Sequence, residues 1–287
     1  MKIKADTFVL SNLGFKQVKD LVAGDYLVNT QDTANRVKRI GLCQNKRHMP
    51  NFYRIEPFFS NSFWLSDEFT VKRKDNKFIY LDMLKEDKDL IKLATLPGGY
   101  NKDLSRGEGY VLGLLLFNTS FDSKGNILVR VNEKAVPKEI EQDYLEKEHK
   151  NCFRLKAKET IKFLTYSQET FELIFKQSKS VQRSFCTAFI EAFKYRDKRQ
   201  RVIIKPLENI YSLNLLCLST RSRVFVHNKN ELLYVKKIEP DLAKSYFSSI
   251  NISKPIKYAE REVFYNLELE YNPSQLVFNN IIVKIDE

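Results

Sequence analysis

One carboxylate flanked by cations, a few scattered thiols and imidazoles, and strands that alternate cation with hydrocarbon are the parts of this chain that could do chemistry. Asp197 closes the run CTAFIEAFKYRD (Cys186 to Asp197), with Lys194 and Arg196 beside it. A hard divalent cation needs several oxygen ligands, carboxylates above all, and neighbouring cations oppose it. His48, His149 and His227 stand far apart, and no two share a metal-ligand spacing. Cys43, Cys152, Cys186 and Cys217 form no CxxC pair, so they read as thiols of an intracellular reducing compartment rather than disulfides or zinc ligands. No resident metal or other cofactor is expected.

The strand-like segments carry a second signal. In CFRLKAK, Phe153, Leu155 and Ala157 alternate with Arg154, Lys156 and Lys158, which puts hydrocarbon on one sheet face and cations on the other. Arg130 opposes Val129 and Val131 in the same way, and Lys162 opposes Ile161 and Phe163. Later, Arg201 and Lys205, Arg223 and His227, and Tyr234 and Lys236 repeat the pattern. Exposed sheets often carry Lys and Arg, partly to discourage edge pairing. Acids are nearly missing from this expected face, however, although the chain has 36 of them, and the net charge is +12. These eleven residues are therefore the expected nucleic-acid contacts, with DNA and RNA both open. The alternative partner for such a face is an acidic protein.

The elements that must hold these groups form a repeat. GYVLGLLLFNTSF (109 to 121) is an apolar helical run with Gly113 at its centre, and Cys186 to Asp197 has the same outline with Ala192 in the matching place. A helical glycine costs about 1 kcal/mol against alanine, so close packing of two backbones is expected. After the first run come strands at 126–132, 152–158 and 160–166 around an acidic helix over 133–150; after the second come 201–205, a helix LENIYSLNLLCL, 222–228 and 231–238.

This outline resembles the LAGLIDADG homing endonucleases, whose paired helices each end in a metal-holding acid. That resemblance implies a pseudo-twofold αββαββα-type domain. VLGLLLFNTS puts Asn118 at the first metal position, while FIEAFKYRDK keeps Asp197 at the second. The resemblance thus implies an impaired nuclease, with Mg2+ relevant only if cutting survives through Asp197.

Both ends add a second resemblance. DTFVLSNLGFKQVKDLVAGDYLV (6 to 28) and VFYNLELEYNPSQLVFNNIIV (263 to 283) resemble the opening and closing blocks of the Hint domain shared by inteins, including the free-standing mating-type switching endonuclease type. On that alignment the first nucleophile falls on Lys2, the activating TxxH block on Leu65 and Glu68, the upstream histidine on Ser274 and the final His-Asn pair on Lys284 and Ile285. Each splicing residue is lost, and no N-terminal flank is expected to splice. The expected fold class is α+β: an all-β Hint-like domain from residues 1–100 and 253–287, and a LAGLIDADG-type insert over 104–252 with repeats at about 109–180 and 185–252. Lys85 to Asp103 and Ser253-Lys254-Pro255 read as its joints.

The expected role is an intein-derived protein, catalytically impaired or inactive, that binds nucleic acid through a basic β-saddle, with a place in a ribonucleoprotein such as an organellar ribosome among its settings. The alternative is a site-specific DNA endonuclease. No run of eighteen apolar residues exists, and no membrane partner is expected. Abundant Lys, Asn, Ile, Phe and Tyr with nine glycines suggest an AT-rich genome. The compartment is then the mitochondrial matrix if the gene is organellar, otherwise nucleus or cytoplasm.

Overall fold

A computed structural model describes residues 1–29, 34–43, 49–57, 62–85, 89–95, 103–116, 119–156, 163, 170–196, 207–220, 224–227, 233–236, 247–255, 262–271 and 275–285. Ten short strands come first: β1 Lys2–Lys4, β2 Phe8–Ser11, β3 Gly14–Gln17, β4 Tyr26–Val28, β5 Ala34–Leu42, β6 Phe52–Pro57, β7 Phe63–Ser66, β8 Phe69–Lys72, β9 Phe78–Tyr80 and β10 Leu90–Lys92. The middle holds α1 Arg106–Leu115, β11 Thr119–Phe121, β12 Ile127–Arg130, α2 Lys138–Tyr144, β13 Leu145–His149 and β14 Cys152–Leu155. Then follow α3 Thr170–Phe175, α4 Lys179–Arg196, α5 Leu207–Ser219, β15 Val224–His227 and β16 Leu233–Lys236. Strands β17 Phe247–Ile252, β18 Phe264–Leu269, β19 Leu276–Phe278 and β20 Ile281–Ile285 close the chain.

The chain divides into two compact units. Unit 1 is Met1–Pro97 with Lys205–Leu218 and Ile238–Glu287; unit 2 is Gly98–Ile204 with Ser219–Lys237. Both termini lie in unit 1, and unit 2 covers a narrower range than 104–252. Helix α5, expected in the second repeat, belongs to unit 1 because its apolar residues are buried there. Tyr211 lies 4.5 Å from the Phe8 ring and 5.6 Å from the Phe15 ring, and Ser212 Oγ accepts the Phe15 N–H at 3.1 Å.

In unit 1 a curled antiparallel sheet runs β1-β18-β5-β4-β2-β19-β20-β8-β9, with β3 paired to β2, and a smaller sheet runs β10-β17-β6-β7. Chain-distant strands pair because both ends contribute: Ile3 faces Tyr265, and Val283 faces Val71. Alternation sends Val9, Leu27, Val37, Ile55, Phe69, Val71, Ile91, Phe278 and Val283 into one buried core. The β19–β20 turn has Asn279 and Asn280 at φ +48° and +66°, the paired positive angles of a two-residue hairpin, which asparagine tolerates.

In unit 2 the sheet β11-β12-β14-β13 lies with α1 and α4. Ser105 and Glu108 form a capping box at the α1 start, with Oγ accepting the Glu108 N–H at 3.1 Å and the carboxylate accepting the Ser105 N–H at 2.6 Å. The two helices do meet backbone to backbone: a Cβ on Gly113 would sit 2.2 Å from Phe185 O and 3.0 Å from Ala188 Cβ. The small partner is Ala188, one turn before the expected Ala192.

Three expectations change here. The acidic stretch 133–150 is not one helix; α2 ends at Tyr144 and Leu145 begins a strand, because Leu145 is buried and pairs with Leu155. Thr119–Phe121 is an added edge strand. Of 160–166, only Phe163 is described, and it is helical. The second half offers the two-stranded β15–β16 ribbon; the 201–205 segment lies outside the described residues.

Candidate functional site

Of the positions aligned with splicing, Lys2 and Glu68 meet in unit 1. The N–H of Lys2, which belongs to the Met1–Lys2 peptide, donates to Glu68 Oε2 at 3.2 Å. The carbonyl of that same peptide, Met1 O, accepts the Leu267 N–H at 2.9 Å. Ser66 Oγ lies 3.4 Å from Glu68 Oε2. Lys284 pairs with Thr70 and Ile285 with Phe69, so the chain's last strand passes directly beside the Glu68 turn. Leu65, one residue from Ser66, is buried and pairs with Tyr53. Ser274 lies outside the described residues.

The geometry holds one peptide group by both its polar ends, yet its side chains suit no acyl transfer. Lys2 carries an amine where this chemistry uses a thiol or hydroxyl nucleophile. A carboxylate accepting from the peptide N–H increases electron density on nitrogen, whereas a leaving amine needs a proton delivered to it. Leu267 and Ser66 were not foreseen. The Leu267 contribution is a backbone N–H, which no residue type announces, and Ser66 is recognisable only once Glu68 is placed.

The cations expected to form a saddle fare differently. On the solvent face of β12–β14–β13, Arg154 faces Glu146 across the strands and Leu128 on the other side. Its guanidinium holds Glu146 at 2.6 Å and Glu148 at 2.9 Å. Those hydrogen bonds and charges push the Arg154 pKa up. The expectation of a face nearly free of acids is therefore wrong in this sheet, because the glutamates assigned to a solvent-facing helix sit on strand β13. Arg130 is exposed at the end of β12. Lys156 Nζ donates to the Gln142 carbonyl. His227, Tyr234 and Lys236 lie on the β15–β16 ribbon, His227 opposite Leu233 and Lys236 opposite Val224. Lys158, Lys162, Arg201, Lys205 and Arg223 lie outside the described residues, as do Asn118 and Asp197, the positions the resemblance aligns with metal ligands.

Among the described residues no group of three or more His, Cys, Asp or Glu could hold a metal. Asp122, just after the first helical run, is used in a turn: its carboxylate accepts the Lys124 and Asn126 N–H groups at 2.8 Å each, and the Asn126 side chain at 2.8 Å. The Asn126 side-chain bond leads in lowering its pKa. All four cysteines are free thiols, Cys152, Cys186 and Cys217 buried. Among the described residues no helix is long and apolar enough to cross a membrane.

No family model and no curated protein matches the chain. Among solved structures it is similar to the MchDnaB-1 intein at 14% identity and TM-score 0.26, over 31% of this chain and 65% of that one. The gp41-1 intein matches at 16% identity and TM-score 0.26, over 32% of this chain and 69% of that one. A DnaB intein from Synechocystis sp. PCC 6803 matches at 9% identity and TM-score 0.34, over 100% of this chain and 99% of that one. The stretch shared with the MchDnaB-1 intein thus spans slightly under two thirds of that protein.

Proposed function

We propose that this chain is an intein-derived protein that has lost splicing, with a LAGLIDADG-type unit inserted in its Hint-like body, and that it works by holding nucleic acid. One observation carries the reading: the Met1–Lys2 peptide is clasped by Leu267 N–H and Glu68, at the meeting point of the aligned splicing positions, with residues that cannot transfer an acyl group. The order α1-β11-β12-α2-β13-β14 followed by helices supports the inserted unit, as do two helices touching through Gly113. The net charge of +12 supports a polyanionic partner. With Arg154 engaged by two glutamates, that partner does not meet a uniformly basic sheet. A ribonucleoprotein is one setting for such a protein.

The test has two parts. The full chain is expressed between two tagged flanking segments; intact fusion is expected, and a ligated flanking product overturns the loss of splicing. The native protein is then crosslinked to nucleic acid by ultraviolet light. Recovered DNA or RNA is expected, and its absence overturns the binding role. A Mg2+-dependent double-strand cut that disappears in Asp197→Asn would replace the binding role with an endonuclease.

A further inference from the structure

Across strands β9, β8 and β10 of unit 1, one face carries Phe78, Lys72 and Lys92 in a row. Lys72 pairs with Phe78 in the β8–β9 register. The bridge between Arg73 and Ile91, with the Lys74 N–H donating to Leu90 O at 2.9 Å, sets Lys92 opposite Lys72. Val71 and Ile91 on the reverse face are fully buried, so the three residues share the outer face. Directly opposed like charges on neighbouring strands are destabilising. The nearby carboxylates do not relieve them, since Asp75 and Asp89 are both held by Arg73, at 2.5 Å and 3.1 Å. Among the described residues no carboxylate pairs with Lys72 or Lys92.

The remaining contacts of these lysines are weak or neutral. Lys72 Nζ stands 5.5 Å from the Phe78 ring centroid. Lys92 Nζ donates to Asn76 Oδ1 at 2.6 Å. Asn76 is fixed in the turn at φ +65°, and its N–H donates to Arg73 O at 3.0 Å. Burial, with the Lys92 charge adding to it, lowers the Lys72 pKa below that of an ordinary lysine. Two lysines at facing strand positions, with a ring beside them, make a row that an anion would complete.

We propose that the outer face of β8–β9–β10 binds a phosphate group, with Lys72 and Lys92 on the oxygens and Phe78 against the sugar or base the phosphate carries. This site stands on the strand register and does not rest on the nucleic-acid reading above, because inorganic phosphate would fill it. A free phosphate or nucleotide and a polynucleotide backbone are the two sources of that chemistry.

The test uses the full chain and melts it in sodium phosphate and in sodium chloride of equal ionic strength. Ligand that binds only the folded state raises the melting temperature. Phosphate is expected to raise it beyond chloride in the parent and in Lys124→Gln, an exposed lysine of unit 2. Lys72→Gln and Lys92→Gln are each expected to lose that increment, while melting no lower than the parent without phosphate, since each removes a like-charge opposition. Titration with inorganic phosphate, a 5′-mononucleotide and a ten-nucleotide single strand follows. A strand that binds at least 10-fold tighter than phosphate and weakens at least 5-fold in Phe78→Leu identifies a polynucleotide. Equal affinities, untouched by Phe78→Leu, identify a small phosphate ligand. The proposal is overturned if phosphate gives no increment, or if Lys72→Gln and Lys92→Gln keep it as Lys124→Gln does.

Discussion

Three residue-scale expectations follow from single groups. If the Met1–Lys2 peptide is positioned for an acyl shift and lacks only its reagents, then a tagged chain carrying Lys2→Cys with Glu68→His should lose its N-terminal tag on incubation with thiol, while the parent stays intact on a gel. Gly113→Ala adds a Cβ 2.2 Å from Phe185 O. Overpacking of that kind costs about 1–3 kcal/mol, against about 1 kcal/mol gained in helix propensity, so a lower urea midpoint is expected. Lys179, at the start of α4, is lowered by burial to about 8 from 10.5, with Cys186 opposing the shift. Between those values the unfolded chain binds the extra proton, so stability rises with pH from about 8 and is lost as pH falls, levelling off below 8. Burial raises Tyr110, and that works the other way above pH 10, where only the unfolded tyrosine ionises. Below pH 10 the tyrosine does not interfere, so pH 8 to 10 is the window to compare. Lys179→Met should flatten the slope of thermal stability there.

At the scale of elements, the β19–β20 turn ties helix α5 to the sheet. Asn279 Oδ1 accepts the Phe8 N–H at 2.9 Å and its Nδ2 donates to Tyr211 Oη at 3.0 Å. Asn280 Nδ2 donates to the Tyr211 carbonyl at 3.1 Å. Asn279→Gly keeps the positive φ but removes two buried hydrogen bonds, at about 0.5–1.5 kcal/mol each. Its denaturant midpoint should fall well below that of Tyr211→Phe, which loses one of these bonds. The turn is legible in the sequence as Asn-Asn between apolar strands. Its partner is not, because nothing local tells Leu207–Ser219 from a helix of the second repeat. Strand β13 was hidden for a related reason: its alternating Glu-Lys-Glu tail reads as a helix surface until Leu145 is seen beside Leu155.

For the molecule as a whole, a charge of +12 makes polyanion binding steeply salt-dependent, with a log-log slope of about −0.9 for each neutralised phosphate on duplex DNA. The arrangement of that charge matters more than its sum. Arg154 is balanced by Glu146 and Glu148, so replacing both glutamates with glutamine should strengthen binding to a nonspecific duplex and steepen the salt slope by about one phosphate. An unchanged slope in filter binding would mean that this sheet face does not meet the ligand.

Sequence alone determined what local chemistry and period can carry: the apolar helices with their central small residue and the alternating strands near both termini. Tertiary structure alone decided which groups meet. It put Glu68 on the Lys2 amide, Glu146 and Glu148 on Arg154, Ala188 rather than Ala192 against Gly113, and Lys72 opposite Lys92. Each of these pairings depends on strand register or helix phase, and a shift of one residue reverses the face of every side chain in a strand. Register is fixed by the summed burial of distant segments, so a local pattern can name the residues that carry charge without saying which of them will be cancelled.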